Sequence, residues 1–239
     1  VIGQFEGEKT NNELADKYAV EKDHFEGKFG QTYLLQTLGN APADKILIIG
    51  LGQKDEFDAN KMTEIAAKAV KKLQQIHAKQ ACFDLDVMFD YGKSATIGAY
   101  IADYAFDKYK TEKATRVDEI TFGNVSQEQV DEGKIFGEAM KMTRDLANEP
   151  AAYATPTKLA EIAKSIEGIK TEVYDRDEIE RMEMGAYLAV SKGSAQPPKF
   201  IHMKYTGKNP KKKVAIIGKG LCFDSGGMDL KPASSMLTM

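Results

Sequence analysis

Apolar positions along this chain alternate between two rhythms, and the alternation predicts an α/β architecture. Residues 45–50, KILIIG, form a continuous apolar run between Asp44 and the Gly50-Leu51-Gly52 triplet. A run of that kind fits a parallel strand covered on both faces. Residues 60–79 switch to helical spacing, with Met62, Ile65, Ala66, Ala69, Val70, Leu73 and Ile76 on one side and Lys68, Lys71 and Lys72 on the other. Residues 83–89 alternate like a strand, 95–109 return to a helix, and 117–122 read as another short strand.

A long helix is predicted over 126–148, with Ser126 as its N-cap and Glu128 in its first turn. Val130, Ile135, Phe136, Ala139, Met140 and Leu146 run along it, and Pro150 and Pro156 end it. Then come a helix over 157–166, a strand over 170–174, a helix over 176–184, and strands over 199–205 and 213–217. The Gly207-Lys208-Asn209-Pro210 turn predicts that the last two strands form a hairpin. Alternation of this kind predicts two α/β units, with the junction near the start of the long helix. The N-terminal unit is expected to hold a mainly parallel sheet covered by helices.

Composition narrows the class. The 239 residues are 42% hydrophobic with a net charge of −3, an ordinary balance for a globular protein and no electrostatic footprint for DNA or an acidic membrane. Basic clusters at Lys68, Lys71 and Lys72 and at Lys208, Lys211, Lys212 and Lys213 interleave with acids and read as solvated faces. No stretch approaches the roughly 20 apolar residues of a membrane-spanning helix, and no signal-peptide pattern opens the chain. Cys82 and Cys222 lie far apart in apolar surroundings and read as two reduced thiols of a cytoplasmic protein.

Candidate chemistry concentrates near residues 214–233, VAIIGKGLCFDSGGMDLKPA. An apolar run leads into Gly218-Lys219-Gly220, then Asp224, a flexible Ser225-Gly226-Gly227 turn and Lys231. Two lysines and an aspartate after a buried strand are unusual for a surface loop. Asp229 reads as a turn carboxylate. Ser225 has no histidine in its segment, since His24, His77 and His202 lie elsewhere, so triad chemistry is not indicated. There is no His-Glu-x-x-His, and neither Gly50-x-Gly52 nor Gly218-Lys219-Gly220 completes a nucleotide-binding loop.

This segment resembles the first metal-binding signature of the leucine aminopeptidase (cytosol aminopeptidase) family, which carries Gly-Lys-Gly, then Phe-Asp-Ser/Thr-Gly-Gly, then Lys seven residues after the Asp. Residues 144–150 with Thr155-Pro156, residues 185–207, residues 98–110 and residues 45–52 are similar to other segments of that family. The 185–207 block is expected to be strand-loop-strand. Ala152 stands where the family usually has Asn, and Cys222 where Thr is commoner.

The resemblance implies an N-terminal assembly or regulatory domain (1–125), a linking helix (126–150) and the first part of a metallopeptidase domain (151–239). It implies a homo-hexamer that releases leucine-like N-terminal residues from peptides with two divalent ions, Zn or Mn. Lys219 and Asp224 would be metal ligands, and Lys231 would stabilise the oxyanion formed when the peptide carbonyl is attacked. A carboxylate shared between two ions suits hydrolysis, and a lysine ligates only as a neutral amine, a state that burial and an adjacent dication favour. The family's remaining ligands and an Arg would lie past Met239, so the chain is expected to be part of a longer protein and inactive alone. The alternative is a non-catalytic fragment or a DNA-binding regulatory module of the same family.

Overall fold

A computed structural model describes residues 1–8, 25–237 and 239. His24 lies outside the described residues. The chain divides into two compact units, Val1–Ala147 and Asn148–Met239. The division between these units falls at the end of the long helix.

The first unit is organised on one strand. β1 (Ile2–Phe5), β2 (Thr32–Gln36) and β3 (Lys45–Gly52) form a sheet of order β1-β3-β2. β1 runs parallel to β3, with Ile2 opposite Ile48, and β2 runs antiparallel, with Leu34 opposite Leu47. Neither outer strand was evident from the periodicity. Alternation then sorts the side chains of β3. Leu47, Ile49 and Leu51 pack with Met62, Ile65, Ala66, Ala69, Val70 and Leu73 of helix α1 (Ala59–Gln75). Ile46 and Ile48 face the other way, against Ile2 and Phe25, with Tyr33 and Leu35 alongside. The expected two-sided burial is thus present, although among the described residues Phe25 and neighbouring strands, rather than a helix, cover the second face. The Asp58 carboxylate caps α1 by accepting the Lys61 N–H at 2.8 Å.

β4 (Gln80–Phe83) and β5 (Glu119–Phe122) form a parallel pair, with the Phe83 and Phe122 rings 5.5 Å apart. The strand predicted over 83–89 is therefore displaced. Leu85 and Met88, both buried, close a turn into helix α2 (Met88–Asp103), where Met88 N–H bonds Leu85 O at 2.9 Å. The helix expected over 95–109 accordingly starts earlier and stops at Asp103. Past it, the Arg116 guanidinium donates to the Asp103 and Ala105 carbonyls, and Asp107 accepts the Ala114 N–H at 3.1 Å.

Helix packing rests on absent side chains. A Cβ on Gly98 would stand 2.2 Å from the Thr63 carbonyl oxygen, so α1 and α2 approach backbone to side-chain-free backbone. Helix α3 (Gln127–Asn148) begins with Ser126 Oγ accepting the Gln129 N–H at 3.3 Å, as the N-cap reading expects. It packs on α2 through Gly133 against Thr96 and Gly137 against Tyr100. The apolar stripe read from sequence is not the buried one: Ile135 is 67% and Phe136 51% exposed, while Gly133 and Gly137 are buried.

The second unit holds helix α4 (Pro156–Ser165), strand β6 (Lys170–Tyr174), helices α5 (Arg176–Arg181) and α6 (Gly185–Ser191), strand β7 (Phe200–Lys204) and a terminal turn of helix, α7 (Ala233–Met236). Thr155 Oγ1 caps α4 by accepting the Lys158 N–H at 3.2 Å, with Pro156 at the first helical position. The block expected as strand-loop-strand is helix-loop-strand, because 185–191 forms α6. The described buried apolar side chains of the second unit are few: Ala154, Ala160, Ala163, Ile179 and Pro198.

β7 pairs antiparallel with β6, and the expected 207–210 hairpin does not form. Residues 213–217 are not a strand; Val214, Ile216 and Ile217 are 83%, 94% and 95% exposed. β6 supplies β7 with its ladder, held by Tyr174 opposite Phe200, whose rings lie 5.9 Å apart. No second ladder is offered to 213–217 among the described residues, and strand-forming side chains alone cannot pair a backbone.

On β6, Lys170, Glu172 and Tyr174 share a face by alternation, and His202 stands directly opposite Glu172. Glu172 receives Lys170 Nζ at 2.8 Å and the Tyr174 hydroxyl at 3.0 Å, and lies 3.4 Å from His202 Nδ1. His202 is exposed and within hydrogen-bonding reach of Glu172. The Lys170 and Tyr174 hydrogen bonds bring the Glu172 carboxyl from 4.5 down to about 2. Cys82 is exposed, which departs from the apolar setting expected for it, and both cysteines are free thiols. No helix among the described residues is long and apolar enough to cross a membrane.

Two expectations follow. Gly98→Ala forces α1 and α2 apart and should destabilise the protein by about 1–3 kcal/mol in urea unfolding; unchanged stability would show that the helices can move apart freely. Because the folded pKa of Glu172 is depressed, its stabilising contribution is complete above pH 4.5 and is lost as pH falls toward about 2. An NMR titration of the Glu172 carboxyl carbon should give a midpoint near 2 that rises in Lys170→Met. A midpoint at the ordinary value in the unaltered chain would rule the cluster out.

Candidate functional site

The geometry of residues 218–231 begins with a turn that has little freedom. Gly226 and Gly227 adopt φ of +95° and +71°, a left-handed backbone that side chains resist. A Cβ on Gly226 would also stand 2.2 Å from the Asp229 carbonyl oxygen. The glycines let the chain fold back, so that Lys231 N–H donates to the Ser225 carbonyl at 2.9 Å. The Asp229 side chain is exposed, in keeping with a turn carboxylate.

That reversal brings two of the three candidate residues into contact. Asp224 Oδ1 accepts the Gly226 N–H at 2.9 Å. Its Oδ2 lies 2.8 Å from Lys231 Nζ, which also donates to the Asp224 carbonyl at 3.0 Å. The Lys231 ammonium, foremost, and the Gly226 amide hold the Asp224 carboxyl below the usual carboxylate range. Lys219 acts on Asp224 only as a more distant positive charge and is itself exposed. The structure thus couples Asp224 to Lys231, whereas the sequence suggests separate duties for them, and it leaves Lys219 apart. The turn read as flexible is tied at both ends.

Other candidates separate from this cluster. Burial pushes the Cys222 thiol up, away from the thiolate a nucleophile needs. His202 is committed to the β6–β7 face beside Glu172. That polar face was missed from sequence, although alternation of Lys170, Glu172 and Tyr174 within one predicted strand was the signal that could have found it.

Asp224 offers a partly exposed carboxylate, a donor type that suits a hard divalent cation, whereas Lys219 is exposed, without the burial that a ligating lysine calls for. The donors fall short in number. Among the described residues no group of three or more His, Cys, Asp or Glu stands close enough to hold a metal ion.

Comparison with known proteins bears on the chain as a whole. A model described as the cytosol aminopeptidase family, N-terminal domain, matches residues 1–113, and one for the catalytic domain of the same family matches residues 141–239. The chain is 37% identical over 232 residues to a probable cytosol aminopeptidase of Persephonella marina, covering 90% of this chain and 47% of that protein. It is 38% identical over 235 residues to one of Aquifex aeolicus, covering 93% and 47%. The chain thus spans about half the length of the curated relatives it matches. Among solved structures, the bottromycin maturation enzyme BotP in complex with Mn superposes with a TM-score of 0.82 at 24% identity, covering 99% of this chain and 51% of that one. A tomato leucine aminopeptidase mutant does so with 0.79 at 24% identity, covering 94% and 51%. These two likenesses concern the fold. With both domain models matched in order along one chain, the protein belongs to the cytosol aminopeptidase family.

Proposed function

We propose that the whole protein is a metal-dependent aminopeptidase that releases leucine-like N-terminal residues from peptides. The observation that carries this reading is the ordered match to both domains of one peptidase family, ending in the Lys219, Asp224 and Lys231 segment. In this reading residues 1–125 serve assembly or regulation, 126–150 link, and 151–239 contribute the first part of the catalytic domain. Lys219 and Asp224 are metal ligands. Zinc or manganese as the pair of ions, six subunits and a cytoplasmic setting complete the reading.

Bound divalent ions would supply Lewis acidity toward water and the peptide carbonyl. The chain's own contribution is positional. The Gly226 N–H aims one Asp224 oxygen and leaves the carboxylate partly open to a cation. Lys231 carries a positive charge on a short tether to the same turn, so it can meet negative charge developing on a substrate oxygen beside Asp224. A donor in that role contributes about 3–4 kcal/mol to lowering the barrier.

Hydrolysis of leucine amide with added Mn²⁺ or Zn²⁺, on protein of known intact mass, is the direct test. Metal-dependent release of leucine is expected from the whole protein, and its absence from metal-loaded protein would overturn the reading. Lys231→Ala should lower kcat by about 100-fold or more while changing KM much less; wild-type turnover at full metal content would remove the oxyanion role. Asp224→Ala should reduce metal content measured by mass spectrometry, and unchanged content would remove Asp224 from the ligand set.

A further inference from the structure

Three lysines of α1 gather around one cavity of the first unit. Lys68, Lys71 and Lys72 line an open cavity of about 410 Å³ together with Thr32 of β2, Gln75 and Ile101 of α2. The sequence presents these lysines as a solvated face; the fold adds walls on either side of them. Among the described residues none of the three forms an ion pair. Asp103, just past Ile101, is engaged elsewhere: its carboxylate takes the Arg116 guanidinium at 3.4 Å and Gln74 Nε2 at 3.1 Å. Gln74 Oε1 accepts Lys71 Nζ at 3.2 Å, so a neutral amide stands between that lysine and the carboxylate. One position is also shaped for its lysine. Gly30, in the cavity wall, has φ of +76°, and a Cβ there would stand 2.5 Å from Lys68 Nζ and 2.8 Å from its Cδ. The missing side chain lets Lys68 lie along the backbone, with Nζ 4.3 Å from the centre of the Phe29 ring.

We propose that this cavity binds a small anion carrying a diphosphate group, held by Lys68, Lys71 and Lys72. The argument is one of uncompensated charge in a concave place. Three ammonium groups on adjacent turns repel one another across the cavity, and an anion between them relieves that repulsion. A diphosphate suits them because its oxygens are spread over two phosphorus centres and can meet three separate point-charge donors. The Thr32 hydroxyl and the Gln75 amide add neutral donors to the same lining. The volume falls in the range of small-molecule sites, about 300–1,000 Å³. A long nucleic acid backbone asks instead for an extended basic surface, which a chain of net charge −3 does not supply. The proposal stands on the first unit alone and is independent of the peptidase reading.

Isothermal titration calorimetry of the full chain with inorganic pyrophosphate, at about 0.15 M salt, tests this directly. Saturable binding is expected. Lys68→Gln, Lys71→Gln and Lys72→Gln combined should weaken it by about tenfold or more. Gly30→Ala keeps every charge but takes the space that Lys68 occupies, and it should weaken binding by about threefold or more. Lys211→Gln, Lys212→Gln and Lys213→Gln combined remove the same charge from the second unit and should leave binding unchanged. Circular dichroism confirms that each variant is folded, and the exposed lysine substitutions keep the test open if Gly30→Ala is not. Equal weakening by the two triple variants would mean diffuse attraction and would overturn the site. So would a folded Gly30→Ala that binds like the unaltered chain. An absence of saturable pyrophosphate binding overturns it as well, whether or not a short DNA duplex binds.

Discussion

Every described element of the first unit depends on closing β3 on all four sides. Its backbone edges are paired by β1 and β2, and its side chains are sealed by α1 on one face and by the Phe25 cluster on the other. Ile46, Leu47, Ile48, Ile49 and Leu51 are all at most 4% exposed. Each such side chain contributes about 1.5–3 kcal/mol when fully withdrawn from water, which is enough to fix the register of both neighbours. The rest is attached at van der Waals distance: α2 against α1 through Gly98, and α3 against α2 through Gly133 and Gly137.

The second unit shows the same constraint unsatisfied. Residues 214–217 are as apolar as the middle of β3, yet they lie exposed, without a ladder among the described residues. What differs is the supply of partners. β6 and β7 pair with one another, and the buried apolar side chains described in this unit are three alanines, Ile179 and Pro198. Burial in this family member is therefore a property of what surrounds a segment, not of its composition.

Within that loosely covered unit, the Asp224–Lys231 turn is ordered by local bonding. Positive-φ glycines reverse the chain, the Gly226 amide orients the carboxylate, and the ammonium neutralises it. A site built from such short-range contacts does not need a finished core to acquire its shape.

The sequence by itself determined whatever local rules could decide. The Ser126 cap, the extent of β6 and the apolar face of α1 follow from side-chain periodicity and capping chemistry, which are written in neighbouring residues. The order of Lys219, Asp224 and Lys231 was legible because motif spacing survives in one dimension. Tertiary structure alone decided the rest. β1 and β2 are short and become strands because β3 offers them edges. Leu85 and Met88 turned an alternating run into a helix start by burying together, and Gly133 and Gly137, not Ile135 and Phe136, became the packed face of α3 because a glycine lets two backbones touch. Only the folded turn placed Lys231 on the carboxylate of Asp224, since contact across seven residues depends on a backbone reversal that residue identity permits but does not measure.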